Sequence, residues 1–282
     1  VPTFDSPEPI SVTIHIDAGE ATIVAGDRTD TAVEVRPCSP DVKADVEAAA
    51  QTRIEYAAGR LAVRTPRSLS LFGEPGSVSV EIGLPAASRL HATADLALVV
   101  VEGDMGACDI TIGAGDVRIG RAGPVELHTH QGDIVVERVT GGTRLTTGSG
   151  EIRAGRIDGA AEIRNHHGRT WIGEVTGDLT LRIANGDVTV GRAHGSVVAR
   201  SAGGDTRLEE VSRGRVDLET RAGDLDIGVR DGSTARLDVR SRTGRVHSAV
   251  EPARRPADAA ETVEVRARTG SGDITIRRVH TP

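Results

Sequence analysis

Residues 186–208 read GDVTVGRAHGSVVARSAGGDTRL. Val188 and Val190 stand two apart after Gly186-Asp187, and Val197 and Ala199 stand two apart before the next such pair, Gly204-Asp205. Apolar residues at a spacing of two mark a strand with one buried face. The stretch therefore reads as strand, turn, strand, turn, closing in 18 residues from Gly186 to Gly204.

Outward from this stretch the same unit recurs. Gly115-Asp116, Gly132-Asp133, Gly150-Glu151, Gly223-Asp224 and Gly272-Asp273 repeat the landmark, with Gly168-Arg169 and Gly244-Arg245 filling the gaps. Successive spacings from Gly115 are 17, 18, 18, 18, 18, 19, 21 and 28. Two residues after the glycine stand Val117, Ile134, Ile152, Thr170, Val188, Thr206, Leu225, Val246 and Ile274, and four after it Ile119, Val136, Ala154, Ile172, Val190, Leu208, Ile227, Ser248 and Ile276. Five before it stand Ile110, Leu127, Leu145, Ile163, Leu181, Ala199, Leu218, Val239 and Ala267; Cys108 falls in the column seven before and reads as a small core residue. Small polar residues fill the column three before, among them Thr129, Thr147, Asn165, Ser201, Thr220, Ser241 and Thr269, suited to bonding the turn of the adjacent coil.

A single such unit cannot bury its apolar face, so neighbours must stack. The fold class expected is all-β, a parallel β-helix or β-solenoid of ~18-residue coils with two strands each. Composition agrees. Phe4, Tyr56, Phe72 and Trp171 are the only aromatics in 282 residues, so the core must be built in thin layers of Val, Ile, Leu and Ala.

The N-terminal part differs. SVTIHI, EATIVA, TAVEVR and RLAVRT alternate within residues 10–64, and SPDVKADVEAAAQ between them is a helix candidate near 40–51, with Ser39 as N-cap and Val42, Val46 and Ala49 as its buried stripe. Residues 1–76 are expected to form a β-rich cap and 77–282 the solenoid, with LFGEPGS at 71–77 as the junction and EPARRPADAAET at 251–262 as a loop bulging from one coil. The last coil ends at Ile276 with no helix to cover it. Ile274 and Ile276 are therefore the candidate edge for end-on assembly, or a frayed end guarded by Arg277 and Arg278.

Several residue patterns suit a specific chemistry. The carboxylates after the glycines form a stack that suits calcium, or else accept hydrogen bonds from turn amides; the second is the expectation, with no cofactor and no metal. His128 and His130 share a strand and His166 and His167 a turn, and they read as exposed histidines rather than a zinc site. Arg164, Arg182 and Arg200 stack four residues before consecutive glycines, with Arg240 and Arg268 in the same column. Such a ladder can hold an anionic partner, or it is a solvated face paired with Glu162, Glu219 and Asp238. No nucleophile–base pair and no phosphate loop is visible, so catalysis is not expected; a β-helix carbohydrate enzyme is the remote alternative. A net charge of -7 argues against nucleic acid. No apolar run reaches the roughly 20 residues that span a bilayer. The opening VPTFDSPEPI has neither a basic segment nor an apolar core of a signal peptide, so a cytoplasmic protein is expected.

The series GDVRI, GDIVV, GEIRA, GDVTV and GDLDI, with the opening PTFDSPEPISVTIHIDAGEATIVAGDRTDTAVEVRP, resembles a bacterial family of unknown function, frequent in actinomycetes, described as β-strand-repeat proteins or candidate adhesins. The resemblance covers essentially the whole chain. It implies a non-catalytic, adhesin-like binding or scaffold module with a protein or glycan partner, and its adhesin label implies the cell surface. A second reading is a structural protein resembling bactofilins, which self-associates through a solenoid end.

Overall fold

The computed structural model describes residues 1–66, 76–250 and 262–280. Most of the expected junction at 71–77 and of the loop at 251–262 lies outside the described residues. The chain divides into two compact units, Val1–Thr140 and Gly141–Pro282, each built on parallel β-coils.

In the first unit Val125–Gln131 pairs in parallel with Cys108–Ala114, and Cys108–Ala114 with the first half of Arg89–Met105. Ile134–Thr140 pairs likewise with Val117–Ala122, and that strand with the second half of Arg89–Met105. The long strand Ser11–Gly26 continues the ladder, parallel to Arg89–Met105 along nearly its whole length. Beyond it the direction changes. Arg60–Arg64 and Ser77–Pro85 still run parallel to Ser11–Gly26, but Arg53–Ala57, Asp30–Pro37 and Thr3–Asp5 add on antiparallel. The antiparallel strands among these form a β cap at the N-terminal side of the ladder. Phe4 stacks on Tyr56 with ring centroids 4.8 Å apart, and the Tyr56 hydroxyl donates to the Asp5 carbonyl at 3.1 Å. Two of the four aromatics thus join the outermost strands of this end.

The helix is shorter than expected and oriented differently. It runs Lys43–Gln51 with Val42, not Ser39, at the N-cap, and no side chain caps it. Val42 and Val46 face solvent, while Asp45 is buried. The Asp45 carboxylate accepts the backbone N–H groups of Ser39 at 3.0 Å and Ser77 at 2.8 Å. The helix is thus anchored by a charge-assisted polar clamp to the chain on either side of it, which no apolar pattern reveals.

In the second unit the 18-residue register is observed directly. Leu145, Ile163, Leu181, Ala199 and Leu218 lie opposite one another on successive parallel strands, and Ile152, Thr170, Val188, Thr206 and Leu225 do so on the other face. Their side chains are buried, each apolar one contributing roughly 1.5–3 kcal/mol of burial. The inward spacing lengthens from two to three at Ala154–Ile157, Ile172–Val175, Val190–Ala193 and Leu208–Val211, so two consecutive residues lie outside the buried column at the same place in each coil. The second of each pair makes a column of alternating charge, Arg156, Glu174, Arg192 and Glu210. Arg156 donates to Glu174 at 2.7 Å, and the His194 ring nitrogen lies 2.9 Å from the same carboxylate.

The order of the last coils corrects the expectation. Gly214–Ala222 pairs with Thr262–Ser271, and Thr234–Ser241 pairs with the far side of Thr262–Ser271. Ile274–Val279 lies in the same way between Leu225–Arg230 and Val246–Ser248. The final coil is therefore slipped between two earlier ones. Ile274 and Ile276 are 0% and 1% exposed, with strand neighbours on both sides, and cannot form a free edge. Composition explains the exchange. The inserted coil offers Val263, Val265, Ala267, Ile274 and Ile276, all buried, whereas the coil it displaces outward has Ser248 in place of an apolar residue. The more apolar coil occupies the slot with two neighbours.

The turn carboxylates cap the adjacent coil. Asp187 accepts the backbone N–H of Asp205, Asp205 that of Asp224, Asp224 that of Asp273, and Asp273 that of Arg245, at 2.7–2.9 Å. Asp116 does the same for Asp133 in the first unit. The polar column before the glycine divides between two roles. Asn165, Ser241 and Thr269 reach turn carbonyls of the adjacent coil, while Thr129, Ser201 and Thr220 bond the carbonyl two residues on in their own. Cys108 is a core residue, 2% exposed, and burial pushes its thiol up to about 12.

Candidate functional site

Alternation turns one set of side chains of the first strand of each coil outward in the second unit. The register places Thr146, Arg164, Arg182, Arg200, Glu219, Arg268 and Arg240 in one column. Two residues earlier, a second outward column holds Arg144, Glu162, Thr180, Val198, Asp217, Arg266 and Asp238. Arg164, Arg182 and Arg200 are thus brought together as the spacing predicts, on adjacent parallel strands about 4.8 Å apart. Arg240 and Arg268 are also neighbours, but Glu219 separates them from the other three.

Carboxylates on this face are shared. Glu162 lies 2.6 Å from Arg164, 3.5 Å from Arg144 and 3.7 Å from Arg182. Asp217 takes Arg200 at 3.0 Å and Arg215 at 3.9 Å, with Glu219 3.4 Å from Arg200. Asp238 stands among Arg240, Arg266 and Arg268 at 3.4–3.9 Å. Hydrogen bonding from Arg164 holds the Glu162 carboxyl below its ordinary range, and Arg200 does the same to Asp217. Both remain ionised at neutral pH.

Of Arg164, Arg182 and Arg200, Arg182 is the least compensated. Its side chain is 59% exposed, its carboxylate is one already engaged by Arg164, and the neighbouring column otherwise offers it only Thr180 and Val198. Three guanidinium groups at this spacing repel one another in water by roughly 1 kcal/mol per adjacent pair. An anion laid across them relieves that repulsion and gains forked hydrogen bonds.

The sequence pattern marks the five arginines and the partners Glu162, Glu219 and Asp238. Arg144, Arg215, Arg266 and Asp217 join them in the structure, and the column six residues before the glycine carries three of these. The other chemistries separate in space. The His128 and His130 rings meet edge to face at 4.9 Å, and His167 contacts Asn185. Among the described residues no group of three or more His, Cys, Asp or Glu side chains is placed to hold a metal ion. Trp171 lies under the Arg153 guanidinium, 4.7 Å from the ring centroid. Among the described residues no helix is long and apolar enough to cross a membrane.

A sequence profile for Toastrack DUF4097 matches residues 125–277, more than half of the chain. The chain belongs to the Toastrack DUF4097 family. The match spans the coils that carry the arginine column of this Toastrack protein. No curated protein matches the chain. Similar solved structures include a candidate adhesin from Parabacteroides merdae, 13% identical with a TM-score of 0.47, over 99% of this chain and 95% of that chain. A candidate adhesin from Bacteroides fragilis is 11% identical with a TM-score of 0.33, over 99% and 96%. A candidate lipid-binding protein from Parabacteroides distasonis is 11% identical with a TM-score of 0.43, over 99% and 95%. Likenesses at this level carry no argument about what the Toastrack protein binds.

Proposed function

We propose that this Toastrack protein is a non-catalytic binding module whose coils hold a partner with closely spaced acidic groups, a protein segment or a glycan, against Arg164, Arg182 and Arg200. The observation that carries the reading is the register of these three arginines on consecutive strands with Glu162 shared between two of them. A rigid ladder presents its charges already ordered, so little conformational entropy is lost on binding. The Glu162 and Asp217 carboxylates are held below their usual range by guanidinium partners, which favours structural pairing over proton transfer near neutral pH at these two groups. Residues 1–76 serve in this reading as the cap, and 77–282 as the presenting part.

Because the whole chain is acidic, the face must act locally, and binding should fall steeply with salt. The test is titration with fluorescent poly-L-glutamate and with dextran sulfate. Arg182→Glu is expected to weaken binding about tenfold, the equivalent of about 1.4 kcal/mol, and Arg164→Glu/Arg182→Glu/Arg200→Glu to abolish it, while Arg118→Glu in the first unit changes little. Undiminished binding by the triple variant, or none by the native chain at low salt, contradicts the proposal.

A further inference from the structure

We propose that the edge formed by Thr234–Ser241, with Val246–Ser248 on the opposite face of the coil, docks a second copy of this chain in a two-fold pair. The inference goes beyond the arginine-face reading and does not depend on it. Among the described residues Thr234–Ser241 has one strand partner, Thr262–Ser271, and Val246–Ser248 has one, Ile274–Val279. Their other edges offer backbone donors and acceptors to a further strand. The apolar columns also run out here. Val246 is 47% exposed and Leu237 and Val239 are only half-buried, whereas Val265 and Ala267, one coil inward, are 0% exposed. At the N-terminal cap the outermost strands are antiparallel and joined by the Phe4–Tyr56 stack; among the described residues no such aromatic stack lies at Thr234–Ser241.

A second copy is singled out by the order of residues along the edge, Ala235, Arg236, Leu237, Asp238, Val239 and Arg240. Laid antiparallel on itself about Leu237, the strand sets Arg236 of each copy opposite Asp238 of the other. Leu237 then meets Leu237, and Ala235 meets Val239. Directly opposed residues of an antiparallel pair share a face with Cβ atoms about 4.5–5.5 Å apart. Two charge pairs therefore form outside while the apolar column continues inside. In-register parallel pairing would instead set Arg236 on Arg236 and Asp238 on Asp238. Asp238 is ringed on its own chain by Arg240, Arg266 and Arg268, and the other copy's Arg236 approaches it from the open side. A two-fold contact of this kind uses up both edges and closes at two copies.

The experiment is the absolute mass by light scattering over a concentration series. The native chain is expected to pass from the 29.4 kDa of one chain to the mass of two and to stop there. Asp238→Arg and Arg236→Asp each leave like charges opposed, so each alone is expected to stay single. Mixed together they should pair, and Arg236→Asp/Asp238→Arg should pair by itself. A variant that merely frays the coil is not rescued by mixing, so failure of the mixture to pair counts against the proposal. One-chain mass for the native protein throughout, growth beyond two copies, or pairing by either single variant alone overturns it.

Discussion

Leu181→Asp is expected to unfold or fray the middle of the second unit, whereas Arg182→Asp, one residue on, leaves it folded. Leu181 is fully buried in the column of Ile163 and Ala199. Replacing it removes a leucine's burial and sets a carboxylate among aliphatic side chains, with no cation on that face to meet it. Large-to-small core changes of this size cost roughly 2–5 kcal/mol before the charge is counted, and an unpaired buried charge adds to that. The sum rivals the roughly 5–15 kcal/mol that holds a typical domain folded. Because coils contact mainly their neighbours, the loss should spread outward from residue 181. Arg182 is exposed and makes one long ion pair with Glu162, 3.7 Å, so its replacement is expected to cost no more than about 1 kcal/mol. Urea unfolding of the two variants checks this; equal midpoints would show that the register is off by one.

The second large effect belongs to the turn. Gly186 has φ +138°, a conformation closed to L side chains, and a Cβ placed there would lie 2.0 Å from the carbonyl oxygen of Gly168 in the adjacent coil. Gly204 bears on the carbonyl of Gly186 in the same way. The glycines therefore let successive turns nest backbone to backbone, and each constrains the next. Gly186→Ala must both adopt the disfavoured φ and push two coils apart, a loss of roughly 3 kcal/mol or more. Gly142 has open space where its Cβ would be and no such φ, so Gly142→Ala is expected to be neutral or to stabilise by up to about 1 kcal/mol. Thermal unfolding of the two alanine variants distinguishes them, and a tolerated Gly186→Ala would mean that the turns are not stacked as described.

Much of this was legible because the period does two things at once. A spacing of 18 from Gly168 to Gly186 to Gly204 fixes which residues lie opposite across strands, and alternation fixes which face inward. Leu181 as core, Cys108 as an inert core thiol and the column Arg164–Arg182–Arg200 all follow from those two facts. The order of the last coils does not. Coils 214–230, 234–248 and 262–279 share the same alternation, and strand edges carry no sequence label, so pattern alone cannot say which lies between the other two. The choice rests on total apolar burial, which placed Ile274 and Ile276 inside and left Leu237, Val239 and Val246 outside. The helix anchor was illegible for a similar reason. Asp45 falls in the first turn only of the observed helix, and its role depends on Ser77, 32 residues away. The arginine face was legible in position but not in balance, because which guanidinium shares Glu162 is decided by side-chain reach rather than by column.

Disulfide formation between engineered cysteines tests the stacking most directly. Adjacent parallel strands stand about 4.8 Å apart, within the Cα separation a disulfide spans, whereas strands two apart do not. With Cys38 replaced by serine, Arg215→Cys/Glu264→Cys is expected to close a disulfide, and Glu264→Cys/Arg236→Cys to do the same, since Glu264 lies between Arg215 and Arg236. Arg215→Cys/Arg236→Cys should stay reduced under the same oxidant. Rapid closure of the 215–236 pair without the 215–264 pair would mean that the coils follow chain order, and would contradict the fold described for the end of the second unit.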